Sequence, residues 1–76
     1  MSEKEVIKKF EELGYALSRN ERRHIIFMKG TIILELYNYG SVFYTKKIKT
    51  NYEPISFEEH QLLTELFKAL GWVQNE

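Results

Sequence analysis

Two stretches of the chain place apolar residues at helical spacing, and between them the period falls to two. In the first stretch Val6, Ile7, Phe10 and Leu13 form one stripe. In the second the stripe is Leu63, Leu66, Phe67 and Leu70, with Leu62 beside it. Each helix carries its own start and stop. Ser2 with Glu5, and Ser56 with Glu59, have the spacing of a capping box: the hydroxyl accepts from the third backbone amide and the carboxylate reaches back. Both stripes end in Phe-x-x-Leu-Gly-aromatic, at Phe10 to Tyr15 and Phe67 to Trp72. That is the pattern of a left-handed glycine stop with the next side chain folded back on the helix.

Residues 22–28, 31–37 and 41–48 alternate as strands, and 15–19 is a possible short fourth, with Asn20 and Glu21 as its turn. Lys29 and Gly30 stand where a two-residue hairpin turn is wanted, and Gly40 serves the next hairpin. Residues 49–55 are left as the one long connection. The order predicts an α+β two-layer sandwich in a single domain over 1–76. It has an N-terminal helix, a three- to four-stranded antiparallel meander and a C-terminal helix.

A turn at Lys29 and Gly30 sets Phe27 opposite Ile32, Ile25 opposite Leu34 and Arg23 opposite Leu36, the set expected to face the core. The other face then carries Ile26 with Ile33 and His24 with Glu35, joined by Met28 and Tyr37. The second hairpin is open to two readings. A two-residue loop turns Phe43 and Thr45 inward and leaves Val42 and Tyr44 outward; a three-residue loop reverses this, because a slip of one residue exchanges the faces. Two helices cover one face of such a sheet. The second face is apolar and lacks an obvious cover, unless a loop or the C-terminal tail folds over it. An uncovered patch of this kind marks a protein interface. The expected interface is Ile26, Met28, Ile33, Tyr37 and Tyr44, rimmed by Arg22, His24 and Glu35, with a host protein or a second copy as partner.

Composition narrows the function classes. The 76 residues have a formal net charge of zero and no cysteine, which excludes disulfides and thiolate zinc sites. No apolar run is long enough to cross a bilayer and the polar start is not a secretion signal, so the expectation is a soluble intracellular protein without membrane contact. Charge is unevenly placed: residues 15–50 carry seven Lys and Arg against two Glu, whereas residues 51–76 carry one Lys against five Glu. Arg19, Arg22, Arg23, Lys46 and Lys47, interleaved with aromatics, form an alternative nucleic-acid surface. The two basic groups fall at opposite ends of the expected sheet, which weakens it. A third reading is an oligomer that sequesters a small anionic ligand.

Catalytic chemistry has little to stand on. There are two histidines and no aspartate, and His24 with Glu35 is the one plausible acid–base pair. No nucleophile is placed to complete a triad. His60 with Glu58, Glu59 or Glu65 lacks the His-Glu-x-x-His spacing of a zinc site. The four glycines read as turns or helix stops and not as a phosphate loop. No enzyme, cofactor or metal is expected.

Phe10-Glu11-Glu12-Leu13-Gly14-Tyr15, the tyrosine-rich hairpins, and Ile55-Ser56-Phe57-Glu58-Glu59-His60 leading to Leu70-Gly71-Trp72 resemble small proteins encoded by phages and prophages of Gram-positive bacteria. The resemblance covers most of the chain in layout and the two helices in motif. It implies an accessory protein of the bacterial cytoplasm that acts by binding and inhibits or modulates a host or defence protein.

Overall fold

The computed structural model describes residues 1–73; the last three positions of the C-terminal tail lie outside the described residues. The helices are α1 (Glu3–Glu12) and α2 (Phe57–Ala69). Between them run β1 (Ala16–Asn20), β2 (His24–Lys29), β3 (Ile32–Asn38), β4 (Val42–Ile48) and β5 (Asn51–Tyr52), paired in chain order as an antiparallel meander with β3 at its centre. This is the expected α+β layout with five strands.

Both helix starts are complete capping boxes. The Ser2 hydroxyl accepts from the Glu5 amide and the Ser2 amide donates to the Glu5 carboxylate, each at 3.2 Å. Ser56 and Glu59 repeat this at 3.1 and 2.9 Å. Both helices stop in the same way. The amides of Gly14 and Tyr15 donate to the carbonyls of Glu11 and Phe10, and those of Gly71 and Trp72 to Lys68 and Phe67. Gly14 and Gly71 supply the left-handed conformation with φ of 96° and 74°. The aromatic after each glycine returns to the helix, with Tyr15 edge-on to Phe10 at 5.8 Å and Trp72 stacked on Phe67 at 5.6 Å.

The turns depart from expectation in three places. The β1–β2 turn is at Arg22 and Arg23, closed by hydrogen bonds between Glu21 and His24, and not at Asn20 and Glu21. Arg23 is therefore an exposed turn residue and not a core residue opposite Leu36. The β2–β3 turn is Gly30 and Thr31, because Lys29 pairs with Ile32. Gly30 at the first central position has φ of 60°, as a type II′ turn requires. Each β2 residue thus meets a β3 partner two positions further on than expected, and a shift of two leaves every side chain on its original face. Ile25, Phe27, Leu34 and Leu36 are buried as expected. In the third departure, residues 49–55 hold β5: Lys49 takes φ of 54° and the chain turns back to pair Asn51 with Ile48 and Tyr52 with Lys47.

The β3–β4 hairpin takes the three-residue form. Asn38 pairs with Val42, leaving Tyr39, Gly40 and Ser41 in the loop. Val42, Tyr44 and Lys46 consequently face the helices, and Phe43, Thr45 and Lys47 face away. Tyr44 packs against the core with its ring 6.4 Å from Phe67. This removes Tyr44 from the outward face on which it was expected.

One core joins the inner face of the sheet to Val6 and Phe10 of α1 and to Leu62, Leu63, Leu66 and Phe67 of α2. A polar node sits at its margin. Glu59 is buried, with 6% of its surface exposed. Its carboxylate accepts from the Ser56 amide, from the Lys46 ammonium at 3.0 Å and from the Tyr15 hydroxyl. Burial alone raises a carboxyl pKa; here the donors outweigh it, with Tyr15 first, and hold Glu59 at about 2. Burial, reinforced by the same contact, pushes the Tyr15 phenol well above its ordinary value.

The node has a pH signature. The Glu59 pKa is lower folded than unfolded, so its stabilisation is complete above the ordinary carboxyl value of 4.5 and is lost as pH falls toward 2. Acid titration followed by denaturant melts is expected to show about 2 kcal/mol lost in that window. Glu59→Gln flattens the loss. At neutral pH it costs about 2 kcal/mol, because the half-buried Lys46 loses its counter-charge and keeps only the Pro54 carbonyl.

Candidate interaction surface

The face of the sheet turned away from the helices is built in three cross-strand rows. The first is Ala16, Met28, Ile33, Lys47 and Tyr52; the second is Arg19, Ile26, Glu35 and Thr45; the third is His24, Tyr37 and Phe43. No described segment crosses this face. Met28 is 37% and Phe43 46% exposed, whereas Ile26, Ile33 and Tyr37 are half-buried by packing against their neighbours.

The third row is a ladder of rings. His24 and Tyr37 stack at 4.8 Å with planes 15° apart, and Tyr37 and Phe43 at 4.7 Å and 18°. Directly opposed residues on adjacent strands stand close enough for this, and such pairs add to sheet stability. Within the ladder both faces of Tyr37 are occupied, so the stack presents ring edges to the outside. Its open ring face on the β5 side is that of Phe43, because β5 stops short of it.

A polar trio sits beside the ladder. One oxygen of Glu35 accepts from the Tyr37 hydroxyl at 2.7 Å and lies 2.9 Å from His24 Nε2. His24 and Glu35 were expected to be directly opposite; they meet diagonally, since Tyr37 is the residue opposite His24. The Tyr37 hydroxyl is the main cause of a Glu35 pKa below the ordinary carboxyl value, with His24 adding to it and partial burial opposing it. The same bond pushes the Tyr37 phenol up to about 12. Three recesses among the described residues, one beside Phe57, one beside Trp72 and one along α1, are lined by other side chains than His24, Glu35 and Tyr37. Among the described residues no group of three His, Cys, Asp or Glu side chains is gathered in a way that would hold a metal ion.

Of the expected interface residues, the structure brings Ile26, Met28, Ile33, Tyr37, His24 and Glu35 onto one surface and sets Arg22 at its end, in the β1–β2 turn. Tyr44 is replaced by its neighbour Phe43. The nucleic-acid set does not converge. Arg22 and Arg23 sit at the ladder end, Arg19 lies on β1 beside Glu21 at 3.8 Å, and Lys47 stands at the far end with its ammonium 4.7 Å from the Tyr52 ring centre. Lys46 points inward and is used by Glu59 and the Pro54 carbonyl. With the ladder's rings stacked on one another, Tyr37 offers no face to a base. Tyr52 was not singled out from the sequence, and Phe43 entered only as the residue that a three-residue loop turns outward. The signal for Phe43 was its alternation with Lys46: the register that buries Lys46 beside Glu59 turns Phe43 out.

No protein-family model, curated protein or solved structure matches this chain. No described helix is long and apolar enough to cross a membrane.

The trio can be tested directly. Tyr37→Phe keeps the ring stack and removes the strongest donor to Glu35. The Glu35 carboxyl pKa, followed by NMR, is expected to climb toward 4.5, with a stability loss of about 1 kcal/mol. A Glu35 titration that does not move would show that Tyr37 is not what holds it down.

Proposed function

We propose that this chain is a non-enzymatic binding protein whose outer sheet face covers a site on a protein partner. The observation that carries the reading is the bare face itself: Ile26, Met28 and Ile33 beside a stacked ladder of His24, Tyr37 and Phe43, with no described segment over them. Burying each such side chain contributes roughly 1.5–3 kcal/mol. The Glu35 carboxylate in the middle of the face already accepts from Tyr37 and lies against His24, so a partner that covers it does not leave it without hydrogen-bond partners.

Charge specifies the partner's chemistry. Arg19, Arg22, Arg23 and Lys47 surround an apolar centre that contains one hydrogen-bonded carboxylate, Glu35. The complementary surface has an apolar centre and carboxylates at its rim. Taken with the resemblance to phage and prophage proteins, the role we propose is that of a cytoplasmic accessory protein that inhibits or modulates a bacterial host or defence protein by occluding such a surface.

Capture from nuclease-treated bacterial lysate, with wild type and Ile33→Glu side by side, tests this. Ile33 lies between Met28 and Lys47 on the outer face and away from the core, so the variant is expected to fold. It is expected to weaken binding of an acidic-rimmed protein at least about a hundredfold. Equal retention by both forms, or retention only of nucleic acid, would sink the proposal.

A further inference from the structure

β4 is a seven-residue strand of which β5 covers only the end. β5 pairs with Lys47 and Ile48, and the Glu53 amide donates to the Lys46 carbonyl at 2.7 Å. A strand residue sends its amide and carbonyl to the same side, and alternate residues agree. Since Lys46 points its carbonyl toward β5, Val42 and Tyr44 point their amides and carbonyls the same way, beyond the reach of β5. Phe43 and Thr45 use theirs on β3. The described chain therefore leaves two consecutive sets of backbone donors and acceptors, at Val42 and Tyr44, open along a sheet edge.

The other edges are guarded. β1 carries a bulge between Leu17 and Arg19 and ends in Arg19 and Asn20, and β5 is only two residues long. Bulges, charge and shortness are the usual means of preventing edge pairing. The open stretch Val42, Phe43, Tyr44 and Thr45 has none of them. It is uncharged, lacks proline and consists of β-branched and aromatic residues, the composition that pairs most readily.

We propose that this stretch of β4 pairs antiparallel with the same stretch of a second copy of the chain, joining two five-stranded sheets across a two-fold axis. One register uses every open group. Val42 of each copy lies opposite Tyr44 of the other in a hydrogen-bonded pair, so the four open amides and carbonyls of each copy all find partners. Phe43 then faces Phe43 of the second copy across the axis. That pair is the non-hydrogen-bonded kind, in which opposed side chains approach closest, with Cα atoms about 4.5 Å apart. The open face of Phe43 is the end of the ladder, so its counterpart continues the stack as His24, Tyr37, Phe43 and then the same three rings in reverse. Val42 and Tyr44 direct their side chains inward, and beyond the end of α2 Trp72 lies in a recess shared with Arg22, Arg23 and Asn38, at the β1–β2 turn. The pairing is short, so the dimer is weak and concentration-dependent.

This inference does not rest on the partner proposed for the outer face, and the test separates the two. Sedimentation equilibrium from micromolar to millimolar concentration is expected to show the mass rising from 9.1 kDa toward twice that value. Val42→Pro removes an amide that points to the open edge and takes no part in the β3 ladder. Phe43→Lys places like charges at the axis on an exposed position. Each is expected to weaken the dimer at least tenfold, whereas Ile33→Glu leaves it intact. Exchange of the Val42 and Tyr44 amides is expected to slow as concentration rises, which reads the edge without any substitution. A mass that stays at one chain throughout overturns the proposal. So does a dimer that Ile33→Glu abolishes and Phe43→Lys does not, or one that forms without protecting those two amides.

Discussion

The contact between Lys46 and Glu59 decides which side of β4 faces the core, and much of the outer surface follows from it. Lys46 is an inward residue of the sheet that carries a charge. It is tolerated there because Glu59 and the Pro54 carbonyl receive it. Slipping β4 by one residue would turn Lys46 out, strand Glu59 among apolar neighbours with fewer donors, and exchange Tyr44 for Phe43 in the core. The same carboxylate caps α2 through Ser56 and receives Tyr15 from the end of α1. One acidic side chain thus ties the last long strand, the start of one helix and the stop of the other into a single arrangement. The ring ladder on the far side of the sheet exists because this arrangement places Phe43 beside Tyr37.

What was legible in the sequence was what local chemistry decides. The capping boxes at Ser2 and Ser56, and the glycine stops at Gly14 and Gly71, are each specified within about six residues, and all four form as read. The faces of β2 and β3 were also legible although their register was not, because a turn at Gly30 and Thr31 differs from one at Lys29 and Gly30 by an even shift. The β4 face was not legible. Two loop lengths around Gly40 fit the local pattern equally well, and the choice between them is made by Glu59, which is distant in sequence. β5 was missed for a similar reason. Its turn begins at Lys49, a residue type with no preference for the positive φ it adopts, so nothing local announces it.

The outer face differs from a simple greasy patch in a way that bears on binding. A lone carboxylate at its centre would resist being covered. Glu35 instead receives two donors from its own sheet, and their rings are locked by stacking on each other and on Phe43. Little side-chain freedom remains to be lost when a partner arrives. The ladder also orients its rings edge-outward, which suits apolar contact with a protein surface better than intercalation between bases. Basic groups confined to the rim suit the acidic partner proposed above, because they would steer and orient it without entering the dry centre.

The open β4 edge and the open face are compatible because they draw on different atoms. Edge pairing uses the backbone of Val42 and Tyr44, whose side chains point to the helices; the face uses side chains of alternate residues. Phe43 is the one residue shared, and in the paired form it gains a ring on its free side without being drawn away from the outer surface. A two-fold axis perpendicular to the sheet leaves both helix layers on one side and both outer faces on the other, side by side. In the proposed dimer, two patches held in this way would engage a repeated or symmetric partner together. The second contact would then be made at an effective concentration far above that of free protein, so the occlusion proposed for this face would require only a weak dimer and a modest affinity of each patch.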